Sequence, residues 1–274
     1  MKKILIAVDF SESCTNAIAY IRHLTSGSKI KVDMMHMYSV PVVSLTNLPA
    51  ETVQQVMNSK KKESQELMIE QMNILESQNR GEIHLVYGVY PSSEIIEVAK
   101  SIEPDLIVMA LRQKYSMIYR LLGTVTANTM YKTTIPLLAI PNGASFSNSC
   151  HVLHPTEEKH AQTLTDNLAD QLEKLVDFCS IFKESSISMI HINKGAGLDV
   201  VYKNKPLGDI ELIVSQAKTI HEGIKAALEK KEVDIIAIQK SSRNFWERLY
   251  HSSLTRKILF NAKLPILILT HNPN

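Results

Sequence analysis

Pro104-Asp105-Leu106-Ile107-Val108-Met109, followed by Gly123-Thr124 and by Ile135-Pro136-Leu137-Leu138-Ala139-Ile140, recurs without a gap 129 residues later. The second copy reads Val233-Asp234-Ile235-Ile236-Ala237-Ile238, then Ser252-Ser253, then Leu264-Pro265-Ile266-Leu267-Ile268-Leu269. Each copy is an acidic residue, a short apolar strand, a polar loop, a helix and a Pro-led apolar strand. Such a unit repeated at domain-sized spacing implies a duplicated α/β domain. Both copies are poor in glycine at the loop where folds of this kind hold phosphates.

Outward from this unit, strands and helices alternate. An apolar run at 3–8 reads as a strand buried on both faces. Asp9-Phe10-Ser11-Glu12-Ser13 supplies capping residues for a helix to about 26, stopped by Gly27. Strands are predicted at 30–38, 83–89, 105–109 and 137–140. Helices are predicted at 51–78, 93–102 and from about 125. The helix at 51–78 is amphipathic and carries Lys60-Lys61-Lys62-Glu63. This alternation implies a parallel, doubly wound sheet.

The small polar stretch 142–149 reads as a linker between a first domain at 1–141 and a second at 150–274. Met34-Met35-His36-Met37 recurs as Met189-Ile190-His191-Ile192, so the second strand is duplicated as well. The stretch 193–208 is short and holds Gly195, Gly197, Pro206 and Gly208. The second copy is therefore expected to be remodelled, without the long helix between its second and third strands and with a longer first helix at about 158–182. The apolar strands 137–140 and 266–269 would be exposed edges if left alone. They are expected to pair with each other, making the two copies an intramolecular pseudo-dimer.

Composition narrows the class. At 274 residues with 45% hydrophobic content, two cores are affordable within one chain. Thirty basic against 28 acidic residues, net +2, argue against nucleic acid or a membrane as partner. Cys14, Cys150 and Cys179 form neither a metal signature nor a disulfide framework. No long apolar run or signal-like segment occurs, so a cytoplasmic location is expected. A homodimer and a protein partner remain open. No P-loop, dinucleotide fingerprint or nucleophile elbow is present, and no catalytic residue or metal site is expected. His36 and His191 lie in apolar strands without accompanying ligand spacing and read as core residues.

Four stretches together resemble the universal stress protein family in its tandem form. They are Ile4 to Glu12, Met35-His36-Met37, Asp105 to Met109, and Leu121-Leu122-Gly123-Thr124-Val125 with Ile135 to Pro141. The resemblance implies two tandem open sheets of strand order 3-2-1-4-5 and a regulator or adaptor in stress adaptation rather than an enzyme. It also implies an ATP site in those members that carry Gly, two residues, Gly, nine residues, then Gly-Ser or Gly-Thr. Here those positions are Ala110, Gln113, Gly123 and Thr124, and in the second copy Gln239, Ser242, Ser252 and Ser253. The glycines matter because they let backbone N–H groups reach phosphate oxygens. ATP binding is therefore expected to be weakened or lost. Binding in the first copy alone, through Asp9, Gly123 and Thr124, is the alternative, within a candidate site that also includes Met37, Ala110, Arg112 and Gln113. There Asp9 would meet the adenine end, and Arg112, Lys114 and Arg120 would add charge. Otherwise Asp9 is an N-cap residue, Gly123 permits close packing, and the basic residues are a solvated loop. Glu157 is the counterpart of Asp9. Trp246 is either a partner contact or a cover for its neighbouring helix.

Overall fold

The computed structural model describes residues 1–40, 49–111, 123–156, 166–192, 210–215, 220–230, 232–239 and 263–270. The first half contains β1 (Lys3–Ala7), α1 (Glu12–Thr25), β2 (Lys31–Tyr38), α2 (Ala50–Met72), β3 (Arg80–Tyr87), α3 (Pro91–Ile102), β4 (Leu106–Leu111), α4 (Gly123–Lys132) and β5 (Leu137–Pro141). The second contains β6 (Ser149–Thr156), α5 (Asp166–Cys179), β7 (Glu184–Ile192), β8 (Ile210–Ser215), α6 (Ile220–Lys230), β9 (Ile235–Gln239) and β10 (Ile266–Leu269). The ten strands of the described residues form one sheet, in the order β3-β2-β1-β4-β5-β10-β9-β6-β7-β8. The first five follow the expected order 3-2-1-4-5, and the described strands of the second half follow it in mirror sequence.

Alternation along the strands builds two cores. Ile4, Ile6 and Val8 face the layer of α1, α2 and α5, together with Leu138, Ile140, Leu267 and Leu269. Leu5, Ile107, Leu137, Ala139, Ile266 and Ile268 face the opposite layer, with Ile95 and Ala99 of α3 and Ile224 of α6. Each cluster runs through both halves.

The repeat has a local physical cause. Asp105 Oδ2 accepts the backbone N–H groups of Lys2 at 2.5 Å and Lys3 at 2.8 Å. Asp234 Oδ2 accepts the N–H of His151 at 2.8 Å. The acidic residue ahead of each fourth strand thus anchors the start of the first strand beside it. The N–H of Ile107 donates to the Pro136 carbonyl at 2.9 Å, and that of Ile236 to the Pro265 carbonyl at 3.0 Å.

β5 and β10 pair antiparallel, with Leu138 opposite Leu267. These two leucines are also 129 residues apart. A residue facing its own repeat equivalent places a local twofold axis between the strands, as in an isologous interface. The apolar edges at 137–140 and 266–269 therefore do cover each other. Phe146 reinforces the junction: its ring meets Tyr20 edge-on at 5.5 Å and stacks with Phe182 at 5.9 Å.

Some expectations are corrected or left aside. The helix expected at 51–78 ends at Met72, six residues early. Arg80 explains the stop, since its guanidinium takes the carbonyls of Leu75 at 3.1 Å and Asn73 at 3.2 Å. The described part of α5 has fourteen residues, as α1 does. Residues 157–165 and 193–209, where the lengthened first helix and the lost long helix were read, lie outside the described residues. No described helix is long and apolar enough to cross a membrane.

Candidate functional site

In the order 3-2-1-4-5 the chain reverses direction across the sheet between β1 and β4. Ligands of open α/β sheets bind at the carboxyl ends of the strands at such a point. Here β1 pairs with β2 up to Ala7↔Met35 and with β4 up to Ala7↔Met109. β2 continues against β3 to Tyr38↔Tyr87, and β4 continues against β5 to Leu111↔Pro141. The result is a notch above β1, walled by the ends of β2 and β4. Met37 lies on the first wall and Ala110 on the second.

The turn from β1 into α1 floors the notch. The Val8 N–H extends the ladder, donating to the Met35 carbonyl at 2.8 Å. Asp9 Oδ1 accepts the N–H of Ser11 at 3.0 Å and its hydroxyl at 2.5 Å. Ser11 Oγ in turn accepts the Cys14 N–H at 3.2 Å, capping α1. Asp9 thus holds the cap residue in place. Phe10 lies between them at φ 57°, in the left-handed region. That turn brings its ring to 4.3 Å from the His36 imidazole.

His36 Nδ1 lies 2.8 Å from the Val8 carbonyl oxygen. A carbonyl only accepts, so Nδ1 carries the proton and Nε2 is left as an acceptor. Burial draws the His36 pKa below the ordinary histidine value. The Val8 carbonyl and Asp9 push it upward, and Lys60 lowers it. The ring is therefore neutral at pH 7. The Phe10–His36 contact was missed in the sequence, because it depends on the backbone angle of Phe10.

Ala110 belongs to β4, paired with Ile140, and packs half-buried against the core on the α1 side. Gly123 and Thr124 open α4. Arg112, Gln113, Lys114 and Arg120 lie outside the described residues, so their approach to the notch is not described. In the second half β6 pairs with β7 as far as Thr156↔His191. That is one pair further than in the first half, whereas β6 pairs with β9 only as far as Leu153↔Ile236, two pairs short of the equivalent of Ala7↔Met109. Gln239 closes β9 there. Glu157, Trp246, Ser242, Ser252 and Ser253 lie outside the described residues. His154 occupies the place of Ile6. It is 1% exposed, and its Nδ1 bonds to the Ala237 carbonyl at 2.9 Å.

Among the described residues, no group of three or more His, Cys, Asp and Glu side chains could hold a metal. The notch offers a carboxylate, a neutral imidazole with one acceptor nitrogen, and strand backbone beyond the β1 ladder.

The whole chain is similar in fold to a universal stress protein from Archaeoglobus fulgidus, at 14% identity and TM-score 0.68, covering 98% of this chain and 96% of that one. A putative universal stress protein from Pseudomonas aeruginosa covers 98% of this chain and 93% of its own, at 9% identity and TM-score 0.58. A functionally unknown protein from Pseudomonas aeruginosa covers 98% and 92%, at 8% identity and TM-score 0.57. At these identities the likeness concerns the fold. No curated protein matches the chain. The model of the universal stress protein family matches residues 1–141, which are the residues that build β1 to β5 and the notch. By that match, over more than half its length, the chain belongs to the universal stress protein family.

Proposed function

We propose that this chain is a non-catalytic regulator or adaptor of the stress response in which ATP binding is weakened or lost. The supporting observation is Ala110. It stands where nucleotide-binding members of the family place the first loop glycine. Here it is a paired strand residue whose Cβ packs on the core. A Cβ at that point limits how closely the backbone meets a phosphate. The division into domains at 1–141 and 150–274, joined by 142–149, belongs to the same reading.

A second reading rests on the notch itself. Asp9 and the backbone of Met37 flank the notch of the first half, and Gly123 opens α4 after β4. They favour a switch that binds ATP there alone. Native mass spectrometry of gently purified full-length protein distinguishes the two. The bare chain mass supports the first reading, and one added nucleotide mass supports the second. Turnover of bound nucleotide would overturn the non-catalytic assignment.

A further inference from the structure

α2 is 23 residues long, yet only Ser64, Met68 and Met72 are buried. These face the sheet. A different stripe runs along one flank of the helix: half-buried Val53, then Val56, Lys60, Glu63, Leu67 and Glu70, spaced alternately by three and four residues. That is the spacing of a coiled-coil seam. Val56 is 37% and Leu67 36% exposed. The Lys60 and Glu63 side chains are 46% and 58% exposed and pair with each other at 2.8 Å.

We propose that this stripe is a self-association surface, on which α2 of a second copy of this chain lies antiparallel. The residues themselves select that partner and that direction. Laid antiparallel about the midpoint between Lys61 and Lys62, Val56 meets Leu67 of the second copy. Lys60 meets its Glu63, and the twofold axis repeats both contacts. Apolar thus faces apolar at Val56 and Leu67, and positive faces negative at Lys60 and Glu63, on both sides of the axis, while at the ends of the stripe Val53 meets Glu70. A parallel arrangement would set Lys60 against Lys60 and Glu63 against Glu63. The pairing asks little rearrangement of an exposed ion pair, whose own contribution to stability is small. It also covers exposed apolar surface at two places on the helix. β5, an edge of the first half, is already paired with β10. Association through α2 leaves that junction intact.

The test uses the full-length chain, its Lys60→Glu and Glu63→Lys variants, and sedimentation velocity over a range of concentrations. The wild-type chain is expected to form a concentration-dependent dimer. Each variant alone places like charges across the seam and is expected to weaken the dimer by about tenfold or more. An equimolar mixture of the two variants restores opposite charges at every contact and is expected to dimerise again. Both positions are exposed, and circular dichroism checks that each variant is folded. A wild-type chain that stays monomeric would overturn the proposal. So would a dimer that both variants leave unchanged, or a mixture that behaves as its separate components do.

Discussion

Gly81 and Asp33 leave no room between them: a Cβ on Gly81 would lie 2.0 Å from Asp33 Oδ1 and 2.9 Å from the Val32 carbonyl oxygen. Asp33 is buried, accepts the Glu82 N–H at 2.8 Å, and has the Lys3 ammonium at 4.0 Å. Neither the carboxylate nor the backbone can retreat without losing a partner. Gly81→Ala is therefore expected to destabilise the fold by about 1–3 kcal/mol, the cost of overpacking. Thermal unfolding of the variant checks this, and an unchanged Tm would refute it.

The two anchoring aspartates give an internal comparison. Asp105 holds two backbone N–H groups at the start of β1, and Asp234 holds one at the start of β6. Asp105→Ala is expected to cost about 1–2 kcal/mol, and Asp234→Ala less, at the usual value of such bonds. Urea unfolding with an unchanged m-value measures both. Equal losses, or a larger one at Asp234, would contradict the assignment.

His154 sets part of the acid response. Its burial lowers the pKa from the ordinary 6.5, and the Ala237 carbonyl opposes that shift. In this range the unfolded chain binds more protons than the folded one. The contribution of His154 to stability is complete above pH 6.5 and is lost as pH falls toward the lower folded value. His154→Ile, which copies Ile6 of the first half, is expected to flatten the decline below that pH. His36 shifts in the same direction and leaves a residual slope. Unfolding free energy against pH reads this out; identical slopes for variant and wild type would refute it.

Calorimetric titration with Mg-ATP is expected to show weak or undetectable binding in the second half and modest binding at best in the first. Loss of two backbone–phosphate contacts costs about 1.5–3 kcal/mol each, or at least about a hundredfold in affinity. Submicromolar binding at two sites would contradict this. Single-site binding that Gly123→Val abolishes and Ser252→Val leaves unchanged would establish the switch instead.

The sheet was legible in the sequence because both its faces are covered. Runs such as Ile4 to Val8 and Ile266 to Leu269 leave no other secondary structure that would bury them. The β5–β10 pairing was legible for the same reason, since two apolar edges in one chain need cover. The end of α2 was not legible. No glycine or proline marks it, and the arginine that takes the carbonyls of Asn73 and Leu75 just beyond it belongs to the next strand. The notch was legible only in part. Asp9 and Ser11 announce a cap by residue type. The left-handed turn at Phe10 that brings its ring to His36 has no compositional sign. Glu103 is similar: it ends α3 at φ 47° where glycine is the common choice.

The join of β5 to β10 also alters what dilution can do to this molecule. Two separate chains meeting along those strands would part as their concentration fell. Here one chain supplies both strands, and a short tether holds a local concentration of about millimolar order. The first half therefore keeps its covering strand however scarce the protein is. The second half provides that cover through four residues of β10, whatever happens to its own notch.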